Sequence, residues 1–270
     1  MISFIVQGPV SEDTQYTVDS IKEFFPSSEI ILASTNGNTD IKGVDKVHLD
    51  GENEEVNVNK QILSSQAVNL AKFDISCKLR NDIIFISDNL MRFVEVELTS
   101  EKSIPRLDSH RLFDRLVLNS NHFFCYPHTS GFFYHPSDWL FLGLTSDLQK
   151  LFNIPLQNPE ENYYYLEEPV TLPFGDTIQG DRLKYRPEQY ILMQALYQAG
   201  VDVFLDYEYQ VPDNVDDAYM WLINNFYVGD VGEDTGFYCS KYPQFVGQRE
   251  RILNNVECEV LRAAMIKEFK

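Results

Sequence analysis

Three carboxylates and a handful of cations in this 270-residue chain have neighbours that suit chemistry. Asp138 lies in Ser137-Asp138-Trp139, next to an aromatic stretch. A carboxyl group buried against such rings ionises less readily, so its pKa rises toward that of a working general base. Glu188 lies in Arg186-Pro187-Glu188. Proline suits the first turn of a helix, and a helix N-terminus favours the ionised carboxylate. That makes Glu188 the weaker base and a better partner for substrate hydroxyls. The plainer alternatives are that Asp138 is a turn residue and Glu188 an ordinary first-turn acid. Arg186 is close enough to Glu188 to share its site, whereas Asp181, Arg182 and Lys184 read as mostly solvated charge. His128 and His135 flank Gly131 in the aromatic stretch. They read as structural histidines, with a catalytic or metal pair as the alternative. There is no Gly-x-Ser-x-Gly elbow, P-loop or dinucleotide glycine fingerprint.

The elements that would hold these groups follow from hydrophobic spacing. Ile2 to Val6 is a buried strand that stops at Gln7-Gly8-Pro9. Thr14 to Phe25 has helical spacing and ends before Pro26. Glu29 to Ser34 and Val44 to Leu49 are strands, Asn59 to Lys72 a helix, and Asp74 to Leu79 a strand with one partly polar face. This order predicts a mostly parallel sheet with covering helices. Ligands of such sheets bind beyond the carboxyl ends of the strands. Gln7-Gly8-Pro9, Ser34-Thr35 and Arg80-Asn81-Asp82 would then face one crevice. Leu140 to Gly143 is strand-like, and Thr145 to Phe152 a helix. Asn158 to Gly180, rich in Pro, Glu and Tyr, reads as a long loop or lid. Glu188 to Ala199 is a helix with Gly200 at its end, and Val201 to Leu205 a last strand.

Composition sets limits. Apolar residues make up 44% and aromatics 13%, which excludes global disorder. The formal net charge of −19 argues against a general nucleic-acid binder. A local cationic pocket is still compatible with it. Cys77, Cys125, Cys239 and Cys258 are far apart and form no zinc-ligand pattern, which suits a reducing compartment. The opening residues have no basic leader, and no apolar run approaches the roughly 20 residues of a membrane span. The expected location is the cytoplasm.

Several ordered segments carry a resemblance. They are Ile5-Val6-Gln7-Gly8-Pro9, Phe25-Pro26 with Glu29 to Thr35, Lys60-Gln61-Ile62-Leu63-Ser64-Ser65, Lys78-Leu79-Arg80-Asn81-Asp82, Ser137-Asp138-Trp139 with Gly143-Leu144, and Arg186 to Ile191. Together they resemble the WavE lipopolysaccharide-synthesis family over about residues 2 to 205; the sequence from about 206 adds nothing to the likeness. The resemblance implies a GT-A-like, Rossmann-type α/β fold with an irregular acceptor-side half. It also implies transfer of a sugar, a hexose foremost, from a nucleotide-diphosphate donor to lipopolysaccharide or capsule. Residues 1–270 then form one domain, with a nucleotide-sugar half to about 120 and an acceptor half from about 121. The family pattern leads one to expect Arg at position 60; Lys60 keeps the charge and loses the bidentate fork.

Under that resemblance, Arg80-Asn81-Asp82 takes the place of an Asp-x-Asp that holds a divalent cation, manganese or magnesium, on the diphosphate. Its first carboxylate is absent. Asp82 is the expected metal ligand, and Arg80 and Asn81 face the donor. The alternative has Asp82 capping a turn and Arg80 in a surface ion pair. Gln7, Gly8, Pro9 and Thr35 would cradle base and ribose, with Gln7 offering a donor and an acceptor to a uracil-like edge. A plain strand-ending turn is the alternative there. Lys60 and Gln61 would bring a helix N-terminus toward phosphate, with surface capping as the alternative, and Arg186 would neutralise phosphate. Asp138 is the expected base, beside a sugar-stacking aromatic surface, and Glu188 orients substrate. The expected partners are the donor and a glycan or lipid-linked saccharide acceptor, with peripheral contact at the inner membrane face and no nucleic acid. A noncatalytic nucleotide-sugar or carbohydrate-binding protein on the same fold is the competing reading. A nucleotidyltransferase lacks support, since Gln7-Gly8-Pro9-Val10 is not a Gly-rich basic loop.

Overall fold

Alternation along the strands decides which residues enter which core. In the computed structural model, β1 (Ser3–Gly8) sends Phe4 and Val6 to one side of a sheet and Ile5 to the other. β2 (Glu29–Ser34) does the same with Ile30 and Leu32 against Ile31 and Ala33. Both strands are buried on both faces, as parallel strands covered by helices must be. Helix α1 (Glu12–Phe24) covers one face through Val18 and Ile21. Helix α2 (Asn57–Ser65), helix Thr145–Phe152 and helix Pro187–Gln198 cover the other. The structure describes residues 1–50, 54, 56–121, 124, 132–171, 177–232, 235–242 and 255–268.

The remaining strands are β3 (Lys46–Leu49), β4 (Ile75–Arg80), β5 (Ile83–Phe85), β6 (Val117–Ser120), β7 (Leu140–Leu144), β8 (Tyr163–Thr171), β9 (Thr177–Leu183), β10 (Phe226–Gly229) and β11 (Phe237–Cys239). Seven form the central sheet in the order β10-β6-β7-β4-β1-β2-β3. Its pairings are parallel except those of β7, which runs antiparallel to both β4 and β6. This is a Rossmann-like α/β sheet flanked by helices, as the sequence pattern predicts. It draws strands from both sides of residue 120. Among the described residues, no helix is long and apolar enough to cross a membrane.

Several expectations need correction. β1 runs on to Gly8, past the expected stop at Val6. The helix expected over Asn59 to Lys72 starts at Asn57 and tightens after Ser65 into a 3-10 turn, Gln66–Leu70. The expected loop Asn158 to Gly180 is largely an antiparallel hairpin of β8 and β9. Among the described residues, Val201 to Leu205 is not a strand. The helix expected over Glu188 to Ala199 does hold, as Pro187–Gln198, and Gly200 follows it with φ +84°.

Candidate functional site

The register places the expected residues along one edge. Gln7 lies opposite Ala33 on one side and Arg80 on the other, and Gly8 lies opposite Ser34. Because β7 is antiparallel to β4, its first residue, Leu140, pairs with Leu79. Asp138 and Trp139 therefore reach the same edge from the opposite chain direction. A cavity of about 690 Å³ opens there. Gln7, Gly8, Pro9, Thr35, Lys60, Gln61, Arg80, Asn81, Asp82 and Asp138 all line it. Ser11, Asp13, Asn36, Asn57 and Lys241 complete the lining.

Arg80 is the hub. Its Nε donates to Asp82 Oδ1 at 2.9 Å and its Nη2 to Asp82 Oδ2 at 2.6 Å. Its Nη1 reaches Asp138 Oδ2 at 3.4 Å. The guanidinium lies over Trp139 and Tyr242, 6.0 and 5.8 Å from the ring centres. Burial lowers its pKa, but the Asp82 hydrogen bonds and the charges of Asp138 and Asp82 outweigh this and hold it charged. Beneath it, Lys78 is 2% exposed and donates from Nζ to the Asp138 carbonyl at 2.8 Å. Burial brings its pKa down to about 8, against the pull of Asp138 and Glu188.

The two expected catalytic carboxylates are driven apart. Burial pushes the Asp138 carboxyl up, helped by the nearby charge of Glu188 and only partly offset by Arg80, Lys78 and His135. Burial also acts upward on Glu188, but His135, the Glu188 backbone N–H and Gln61 hold it below the usual range. His135 Nε2 lies 3.4 Å from Glu188 Oε2, and Gln61 Nε2 lies 3.5 Å from Glu188 Oε1. Two neighbouring acids with opposed shifts are the arrangement by which one site separates a base from a binding carboxylate. His135 follows Tyr134, whose φ of 54° is left-handed backbone that such a bulky residue adopts only under constraint. His135 thus stands closer to the chemistry than a structural reading implies. His128 and Gly131 lie outside the described residues.

Other residues expected at the donor also hold the structure together. The Gln7 amide donates to Ser64 Oγ at 2.6 Å and to the Gln61 carbonyl at 3.3 Å, fixing β1 to α2. Asn81 Nδ2 donates to the Pro9 carbonyl and to Thr14 Oγ1, at 2.5 and 3.0 Å, and so shapes the Gly8-Pro9 loop. Arg186 does not line the cavity; it pairs with Glu208 and lies over Phe132. Trp139 is 1% exposed, so its ring packs inside the protein instead of offering a sugar-stacking surface.

Gly8 is obligatory on two counts. Its φ is +137°, and a Cβ there would meet Asn81 Oδ1 at 2.5 Å. Gly8→Ala should cost about 1–3 kcal/mol of stability from backbone strain alone. Thermal denaturation checks this, and an unchanged midpoint would show that the loop can relax.

Asp82 does not present itself as a metal ligand, because Arg80 occupies both of its oxygens. Among the described residues, no group of three or more His, Cys, Asp or Glu could hold a metal ion. The donor set at this edge fits a fixed guanidinium better than an Asp-x-Asp cation.

The sequence matches the family described as WavE lipopolysaccharide synthesis over residues 2–242. The chain belongs to that family. No curated protein matches it. The WavE match runs past residue 205, where the visible resemblance stops, and takes in β10, β11, Lys241 and Tyr242. These late residues matter to the site. β11 pairs with β5, Ser240 N donates to the Asp82 carbonyl at 2.9 Å, and Tyr242 stacks on Trp139 at 6.1 Å. Sequence reasoning missed Lys241 and also Lys78, which it had placed on a polar strand face. It missed Asn119 too, which ties the Ser137–Leu140 segment to β6. Lys78 had a visible signal, a lysine two residues from Arg80 on a strand whose other face is apolar. Lys241 and Asn119 had none.

Proposed function

We propose that this WavE-family chain is a glycosyltransferase. It moves a sugar from a nucleoside-diphosphate donor to a growing lipopolysaccharide or capsular glycan. The observation that carries the reading is one cavity edge bearing both a fixed, charged guanidinium, Arg80, and a half-buried carboxyl of raised pKa, Asp138, 3.4 Å apart. A diphosphate leaving group needs the first, and an acceptor hydroxyl that must lose its proton needs the second. The nucleotide lies along Gly8, Pro9 and Thr35, with its phosphates toward Lys60 and Arg80. Asp138 takes the acceptor proton. Glu188, held by His135 and Gln61, receives hydroxyls of donor or acceptor. The acceptor is a glycan or lipid-linked saccharide, met at the inner face of the cytoplasmic membrane.

A thermal-shift screen of nucleotide sugars tests this. The true donor should raise the melting temperature selectively, by the equivalent of about 2.7 kcal/mol at a hundredfold excess over Kd. Transfer or hydrolysis of that donor should accompany binding. Stabilisation with no turnover toward any saccharide would instead leave a binding protein on the same fold.

A further inference from the structure

We infer that Arg80 itself, fixed in a frame of Asp82 and Asp138, receives the donor diphosphate in the role that a divalent cation would otherwise fill. The inference rests on the glycosyltransferase reading and adds what stabilises the leaving group. Asp82 is a positioning residue for the guanidinium, not a metal ligand.

The geometry is that of a clamp. Fork-to-carboxylate pairing at 2.9 and 2.6 Å fixes the plane of the guanidinium, since two parallel charge-assisted bonds allow little rotation. The Asp138 contact and the two rings hold it on further sides. Nε, Nη1 and Nη2 each make one of these hydrogen bonds, so two of the five guanidinium N–H donors remain for a ligand. A cation entering at Asp82 would have to displace that pair and then sit beside the displaced positive charge. Lys60 and Lys241 line the same cavity and add charge for the second phosphate. Such positive charge has to be local in a chain of net charge −19.

The chemistry balances without another reactant. The bond between sugar C1 and the β-phosphate oxygen breaks, and its electron pair goes to that oxygen. The acceptor oxygen forms the new bond to C1, and its proton goes to Asp138 and then to solvent. The nucleoside diphosphate leaves with one more negative charge, which the already oriented Arg80 donors meet without reorganisation.

Calorimetric titration of the full chain with UDP, GDP and CDP, each in EDTA and in manganese, tests the inference. One of them should bind with a Kd that differs between the two buffers by less than about threefold, far below the effect of losing a charged contact. Arg80→Lys keeps the charge but loses the fork, and should weaken binding about tenfold or more in EDTA. Asp82→Asn should weaken it in both buffers alike, and Asp82→Glu should recover part of the loss. Each variant is melted first, and Asp82→Glu keeps the test decisive if Asp82→Asn fails to fold. Tight binding only with manganese, with that increment lost in Asp82→Asn and the EDTA value untouched, would overturn the inference and leave the donor reading standing. No binding of any of the three in either buffer would overturn both.

Discussion

Asp138→Asn should remove sugar transfer, by about 10²–10⁴-fold in kcat, and disturb donor affinity far less than Asp82→Asn does, since it touches one 3.4 Å contact to Arg80 and leaves the two shorter ones. The asymmetry follows from when the base acts. The acceptor proton moves only as the new bond forms, so its receiver stabilises the transition state and not the donor complex. Asn keeps the size of the side chain and one oxygen for Arg80, so the cavity edge should persist. Glu188→Gln should be milder and should act partly on KM, since Glu188 lies in the His135 and Gln61 frame and serves binding. The pH profile carries the sign. Asp138 must be ionised to act, and its carboxyl is pushed up by burial and by the charge of Glu188. Activity is therefore present above that raised pKa and is lost as pH falls through it. The acid limb of kcat should lie clearly above the roughly 3.9 of an unperturbed aspartate. Rate against pH, donor Kd for both variants and product stereochemistry by NMR measure all of this. A dead Glu188→Gln beside an active Asp138→Asn would reverse the two roles, and a product that retains donor configuration would remove the single-base scheme.

What the sequence reveals depends on how local the cause is. β2 and the helix Thr145–Phe152 match expectation residue for residue. Ile30 to Ala33 is a continuous apolar run ahead of a turn signal, and Leu148, Leu151 and Phe152 recur at helical spacing, although the cap expected from Thr145 or Ser146 is absent and Leu144 stands at the N-cap. Gln7, Thr35 and Arg80 were readable as neighbours once the parallel order was set, since strand ends share an edge; Asp138 was not, because it reaches that edge ahead of the antiparallel β7. The β8–β9 hairpin was not. Most of its residues are exposed on both faces, so the period-two alternation that marks a half-buried strand is absent. Val201 to Leu205 has the opposite fault: it is apolar enough for a strand but joins no sheet among the described residues, and its Val203 and Leu205 join the helical side of the core. β10 and β11 are four and three residues long and pair with strands far away in sequence, so neither has a local signature. The role of Asp82 was out of reach for a similar reason. Spacing puts Arg80 and Asp82 on the same side of the chain, but only the folded loop shows that the fork closes on the carboxylate. Composition gave a net acidic surface and could not show that Lys60, Arg80 and Lys241 gather at one cavity.

Asn119→Ala should both destabilise the protein and slow transfer, because Asn119 is what holds the segment carrying Asp138. Asn119 is completely buried on β6, opposite Phe141 of β7. Its Oδ1 accepts from Ser137 N at 2.7 Å, and its Nδ2 donates to the carbonyls of Ser137 and Leu140 at 2.9 and 2.8 Å. Those bonds bracket Asp138 on both sides and satisfy backbone groups that no water reaches. Alanine leaves three buried partners unmatched, at about 1 kcal/mol each or somewhat more, so a loss of roughly 3 kcal/mol is expected. For a chain of this size that corresponds to a drop of about 6–12 °C in melting temperature. The functional consequence is separate. Asn119 does not line the cavity, so donor Kd should hold while kcat falls, as the Asp138 carboxylate loses its fixed distance to Arg80. Ser120→Ala is the control. It removes only the hydroxyl pair between Ser120 and Ser137, 2.9 Å apart, and should cost about 1 kcal/mol with little change in kcat. Calorimetric melting, donor titration and turnover on the three proteins separate the effects. A lower melting temperature in Asn119→Ala with native kcat would mean that the Asp138 segment is held well enough by Lys78 and β7, and that Asn119 serves the fold alone.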